Sequence, residues 1–295
     1  MPLGFGRAAG IYRTGGFAAP RNLTASSHRP SPTSAASTVS RRPSAGGVTV
    51  TRAFPGGTGL SHLSVYNSAC PDGLAGGTPH LHTASTEAYI VIQGNGLLHT
   101  LDPSGPREAR LEPGDVLWFT PGTIHRAINH GGLQVLVIMS NAGLPEAGDA
   151  VMTFPPEIVA DPDRYRQAAT LPREQSEAAL DKAAQRRRNL AVNGFERLVI
   201  ATESGDPGPM ERFYNDATAL VQPKVDQWRR IWQENVADQT TYTASVLDAL
   251  EHGDGRHLRD AALLHAPPSA TFGFGMCGRL RTYDVRNPVD NRDRP

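Results

Sequence analysis

Gly77-Thr78-Pro79-His80-Leu81-His82-Thr83-Ala84-Ser85-Thr86-Glu87 is the stretch from which the rest of this chain is read. On an extended segment, side chains two apart share a face. His80 and His82 therefore point the same way, and Glu87 opens the next apolar run, Glu87–Gln93. A third histidine, His125, follows the turn Pro121-Gly122-Thr123-Ile124. Neutral imidazoles are good ligands for first-row transition ions, and a carboxylate adds a hard anionic oxygen. Three histidines and one glutamate would grip an ion from one side. An octahedral ion held in that way keeps two positions open for chemistry or ligand exchange.

Short apolar or alternating runs surround this stretch: Val48–Phe54, His62–Asn67, Glu87–Gln93, Gly96–Asp102, Asp115–Thr120, His125–Asn129 and Leu133–Ser140. Gly- and Pro-containing turns separate them, among them Pro71-Asp72-Gly73, Asp102-Pro103-Ser104-Gly105 and Gly131-Gly132. Many short, evenly spaced strands predict an all-β sandwich or barrel. Gly94-Asn95-Gly96 predicts a hairpin. The β region is expected to end near Gly143-Leu144-Pro145, and from Pro156 onward the period becomes helical. Helices are expected over Pro156–Thr170, Arg173–Glu203, Pro209–Val236 with a kink or split at Pro223, Thr240–His252 and Gly255–His265. Leu180, Ala184, Ala191, Phe195 and Leu198 approximate one face of the second of these. Pro267–Pro295 shows no clear period. The expected plan is a basic tail over 1–46, a β-barrel over 47–150 and a helical extension over 151–295.

The spacing His80-x-His82-x4-Glu87-x6-Gly94 resembles the first motif of the cupin family, and Gly114-x6-Pro121-Gly122-x2-His125-x3-Asn129 resembles the second. One departure stands at the start: the glycine usual six residues before the first histidine falls on Leu74. The resemblance covers about a third of the chain, Val48–Leu144. It implies a mainly β fold, a jelly-roll β-barrel followed by an α-helical C-terminal region. It further implies a divalent transition ion held by His80, His82, Glu87 and His125, with Fe(II) taken first and Mn(II), Zn(II) or Ni(II) as alternatives. Asn129 matches a position that is structural rather than ligating. A homodimer is a further expectation from the resemblance.

The formal net charge of +0 is a cancellation. Residues 1–71 hold seven arginines and no acid, whereas the remainder carries 22 basic and 29 acidic residues. The tail is too poor in large apolar side chains to offset its ordering entropy and reads as disordered. Being Arg- and Ser-rich, it also has the composition of an organelle-targeting segment, the alternative to a cytoplasmic protein. No apolar run is long enough for a membrane span. The acidic body, without an evident recognition helix, argues against nucleic-acid binding. Two cysteines, Cys70 and Cys277, cannot build a disulfide framework.

Other residues carry blander readings. Tyr89 and Val91 share parity with Glu87 and read equally as pocket lining or as core packing. Trp118 and Phe119 have opposite parity, so only one faces inward. His62 and His99 read as paired or surface histidines, Arg126 as a salt-bridge partner pointing away from the cluster, and Arg186-Arg187-Arg188 as a solvated helix face. Cys277 reads as a lone thiol with no histidine beside it. Three function classes remain: a metalloenzyme activating dioxygen on a small organic substrate, a metal-dependent isomerase, epimerase or lyase, and a non-catalytic module binding a sugar or other small molecule. Between residues 72 and 150 only Arg107, Arg110 and Arg126 are basic, against eight acids, which disfavours a phosphorylated ligand.

Overall fold

The computed structural model describes residues 54–172 and 176–290. The tail over 1–46 and most of the Val48–Phe54 run lie outside the described residues. Two long strands organise the barrel: β3 (Glu87–Asp102) and β6 (Ile124–Met139) pair antiparallel along nearly their whole lengths. β1 (Gly59–Val65) lies on the other side of β6, and β4 (Gly105–Leu111) on the other side of β3. β2 (His80–His82) pairs with β6 and with β7 (Ala150–Met152), while β5 (Val116–Phe119) pairs with β3.

Gly94-Asn95-Gly96 is not a hairpin. It is an irregularity within β3, where the register shifts against β6 and Asn95 sits opposite Gly131. Gly94 has φ +74°, and a side chain there would meet the Gly132 carbonyl carbon at 2.3 Å. The glycines of the two strands meet at one corner, so the sheet bends without turning back. Asn129 fills that corner: its amide donates to Val65 O (2.9 Å) and accepts from the N–H of Gly131 (3.0 Å) and Leu133 (3.1 Å). The tight hairpin falls instead at Pro103-Ser104, between β3 and β4.

Inward side chains of β1, β3, β5 and β6 build the barrel core, including Leu63, Tyr89, Val91, Phe119, Val135 and Val137. Phe119 is buried, whereas Trp118 is 70% exposed. A second core joins the outside of β2 and β7 to the helices and contains Leu81, Val151 and Phe154 with Phe195, Phe213 and Trp228.

The helices are α1 (Pro156–Val159), α2 (Pro162–Ala169), α3 (Glu177–Glu203), α4 (Gly208–Val221), α5 (Val225–Trp232) and α6 (Asp238–Glu251). The single helix expected over Pro156–Thr170 is two, because Asp161 caps a new start at the N–H groups of Asp163 and Arg164. Pro223 splits α4 from α5 as expected. Gly255–His265 is not a helix: one tight turn over Arg256–Asp260 leads into β8 (Leu264–His265). β8 pairs with β11 (Val289–Asp290). The stretch without a period returns to the barrel: β10 (Gly278–Thr282) pairs with β1 on one side and β9 (Gly273–Phe274) on the other.

The arginine run on α3 is not a solvated face. Successive helical residues point in different directions, so only Arg186 is exposed. Arg188 is 0% exposed and donates to the carbonyls of Ser68, Ala69 and Gly76. Arg187 donates to Ala169 O and Gly275 O. Those loop carbonyls need donors once buried, and α3 supplies them. Among the described residues no helix is long and apolar enough to cross a membrane.

Candidate metal centre

β2 presents His80 and His82, its pairing with β6 sets His80 beside His125, and the start of β3 brings Glu87. All four side chains are buried, and one ligand atom from each lies within 4.8 Å of the others. Each imidazole is held from behind. His80 Nδ1 is 2.9 Å from Thr78 O and His125 Nδ1 is 3.2 Å from Thr123 O. A carbonyl only accepts, so both Nδ1 atoms carry the proton and both Nε2 atoms are bare. His82 Nδ1 lies 3.3 Å from Asp149 Oδ2. The Nε2 atoms of His82 and His125 stand 3.0 and 3.1 Å from Glu87 Oε2.

Burial alone would raise the Glu87 carboxyl, yet His125 and His82 hold it well below the usual carboxylate range. Burial, reinforced by His125 and His82, drives His80 well below the ordinary imidazole value and keeps it neutral. Burial would also lower His82, but Asp149 and Glu87 raise it to about 9. Glu87 Oε2 and His125 Nε2 have no well-formed hydrogen bond although both are buried. Buried polar atoms are normally satisfied. A cation between an anionic oxygen and imidazole lone pairs satisfies them together, so the residues present fit a divalent transition ion.

A cavity of about 210 Å³ opens on the cluster. His80, His82 and Glu87 form one wall. Leu63, Val137 and Met139 line it from the barrel, and Met276, Cys277 and Leu280 close it from the far end of the chain. No lysine or arginine is among its lining residues. Tyr89 and Val91 face inward, but into packed core: Tyr89 is 0% exposed and meets Phe119 edge-on at 5.4 Å between ring centroids. Cys277 does have a histidine beside it, with Sγ 4.0 Å from His80 Nδ1. Burial, with Glu87 nearby, pushes this thiol up to about 12, so it stays protonated. Arg126 turns away from the cluster as expected, pairing with Asp72 and donating to Gly77 O. His62 and His99 are engaged elsewhere, by Gln134 and Glu108.

Sequence reasoning did not find Asp149, Met276 or Cys277 as parts of this site. Asp149 stands in a turn, Glu146-Ala147-Gly148-Asp149, without a motif. The other two precede a strand of only five residues.

Residues 71–140 match the cupin domain family. With both motifs on the barrel strands as described, this segment is a cupin domain. A germin-like protein, 4-1, of Oryza sativa subsp. japonica is 31% identical over 93 residues, which are 28% of this chain and 37% of that relative. The matched segment thus spans little more than a third of the relative's length. Among solved structures, a conserved protein with a double-stranded β-helix domain from Klebsiella pneumoniae subsp. pneumoniae is 21% identical over 28% of this chain and 64% of its own, with a TM-score of 0.21. A TDP-fucose-3,4-ketoisomerase from Campylobacter jejuni is 10% identical over 31% of this chain and 64% of its own, with a TM-score of 0.27.

Proposed function

We propose that this protein is a metalloenzyme that uses a divalent transition ion, Fe(II) first, to activate dioxygen on a small, uncharged organic substrate. One observation carries the reading. Anchored imidazoles and Glu87 converge at the wall of an apolar cavity whose lining residues include no lysine or arginine. His80, His82, Glu87 and His125 would hold the ion. Bound there, the ion would supply a redox-active, Lewis-acidic centre. Thr78 and Thr123 hold two of the rings in the ligating tautomer. The leucine, valine and methionine side chains exclude water and orient an apolar substrate.

A metal-dependent isomerase or lyase needs a side chain that moves a proton beside the substrate. Beyond the ligands, only Glu146 and Cys277 can titrate among the cavity-lining residues. Cys277 stays protonated, and Glu146 Oε2 already accepts from Gly143 N (3.0 Å). This favours oxygen chemistry over proton transfer. A phosphorylated substrate would also lack a cationic partner in the cavity.

The test begins with elemental analysis of the purified full chain beside Glu87→Ala. Oxygen uptake is then followed after Fe(II) loading, with a panel of small alcohols, ketones and phenols. The expected result is one ion per chain, absent in the variant, and substrate-dependent oxygen consumption. Turnover that persists without oxygen would move the assignment to the isomerase or lyase class.

A further inference from the structure

We infer that Asp149 is a positioning residue of the metal centre, and that the helical region acts on that centre through it. The inference rests on reading the His80, His82, Glu87 and His125 cluster as a metal site. Asp149 is 0% exposed and lies outside both sequence motifs. Its Oδ1 accepts from Thr83 N (2.9 Å), Thr83 Oγ1 (2.6 Å) and Ala84 N (2.8 Å). Its Oδ2 accepts from Ser85 N (3.0 Å) and faces His82 Nδ1 at 3.3 Å. Donors approach both oxygens. Only an ionised carboxylate offers acceptors on both sides. Asp149 Oδ2 stands at ion-pair distance from His82 Nδ1 without a well-formed hydrogen bond, so it favours a proton on Nδ1 and leaves Nε2 as the atom that a bound ion would take. Partners of this kind fix the tautomer and orientation of a metal-binding histidine.

The turn that carries Asp149 is held from the helices. Lys224 Nζ, just before α5, donates to Gly148 O (3.0 Å), and Trp228 Nε1 on α5 donates to Ala147 O (3.3 Å). Trp228 is buried and shares a core with Leu144, on the same turn. A continuous chain of contacts therefore runs from α5 through the turn and Asp149 to His82. This gives the helical region a role at the site distinct from a lid or a dimer contact.

Zn(II) serves as the probe, with affinity measured on the full chain by competition with a chromophoric chelator. In Asp149→Asn an oxygen kept on Thr83 and Ala84 turns the amide NH2 toward Ser85 N–H and His82. His82 must then accept at Nδ1 and carry its proton on Nε2, where it cannot ligate. Affinity is expected to fall roughly 10- to 100-fold. The ¹⁵N signature of a protonated Nδ1 on His82 in the Zn(II)-loaded protein is expected to disappear with it. Thr83→Val removes one hydrogen bond from Oδ1 and leaves Oδ2 facing His82, so it lowers the thermal midpoint while affinity stays within roughly twofold. Lys224→Met leaves Asp149 in place and lowers affinity by about threefold.

Asp149→Asn within twofold of wild type, or Thr83→Val weakening the metal as much as Asp149→Asn, overturns the positioning role. Should Asp149→Asn fail to fold, unchanged affinity in Lys224→Met overturns the control by the helices. Wild-type protein that takes up no Zn(II) would instead end the metal-site reading itself, a result distinct from the others.

Discussion

The cavity has two walls of different origin. The ligand wall comes from His80, His82 and Glu87, on strands hydrogen-bonded to β6 along the barrel. The facing wall comes from Gly275–Thr282, which reaches the barrel only after the chain has run through six helices. Where they meet, contact is close: a Cβ on Gly77 would lie 2.7 Å from Cys277 Cα. The ligand wall carries chemistry in a spacing of residue types. The facing wall carries shape, and no residue type is required for that beyond size and polarity. Changes to the first should abolish ion binding, and changes to the second should leave the ion and alter what fits beside it.

The largest expected effect follows directly. Glu87→Ala removes the only carboxylate of the cluster, and His125→Ala removes one of the two rings that pair with it, so each should eliminate stoichiometric metal in elemental analysis. Cys277→Ala, on the facing wall, should keep it. Metal lost equally in all three variants would show that the walls do not divide the labour in this way.

The same division explains what was legible in the sequence. His80, His82, Glu87 and His125 were readable because metal ligation demands particular side chains, and a strand's two-residue period shows which of them share a face. The corner at Gly94 was misread. A glycine pair looks alike whether the chain reverses or bends, and only the partner glycines on β6 decide it. β10 was invisible because a five-residue strand joining a sheet edge carries little periodic signal. Arg188 was misread for a related reason: a charge inside a helix reads as solvated unless its partners are known. Those partners are backbone carbonyls of a distant loop, which have no signature in side-chain type.

That arginine supplies the next prediction. Arg188 holds the loop that leads into the ligand wall, while Arg187 holds Gly275 at the start of the facing wall. Arg188→Met keeps much of the packing but leaves the Ser68, Ala69 and Gly76 carbonyls without this donor. The expected loss is about 3 kcal/mol in denaturant unfolding, in line with stranding several buried acceptors. Arg187→Met should cost less, because its side chain is only half-buried. A reversed order would mean that the facing wall, not the ligand wall, is the more dependent on α3.

Asp72 sharpens the comparison by pH. Burial alone would raise its carboxyl, but Arg126 holds it below the ordinary value. A carboxyl lowered in the folded state contributes stability above its unfolded pKa, and that contribution is lost as pH falls through the folded value. Asp72→Asn should therefore destabilise by about 2 kcal/mol at pH 7, since Arg126 is left buried without its anion. The difference from wild type should shrink below pH 4, near the unfolded carboxyl's own range. A constant difference across that range would assign the loss to packing.

The smallest effect concerns Cys277, where the two walls touch. Its neighbour His80 could suggest an activated thiol, but Nδ1 of that ring is already engaged by Thr78 O. Burial pushes the thiol up to about 12. At pH 8 the thiolate fraction is then on the order of one in ten thousand, and reactivity follows the thiolate. Iodoacetamide should leave Cys277 unmodified in the folded protein and alkylate it once the chain is unfolded, as read by peptide mapping. Rapid alkylation in the native state would mean that the facing wall contributes chemistry as well as shape. Protection would leave Cys277→Val as a change of cavity form alone, altering which small molecules bind while metal content stays at the wild-type level.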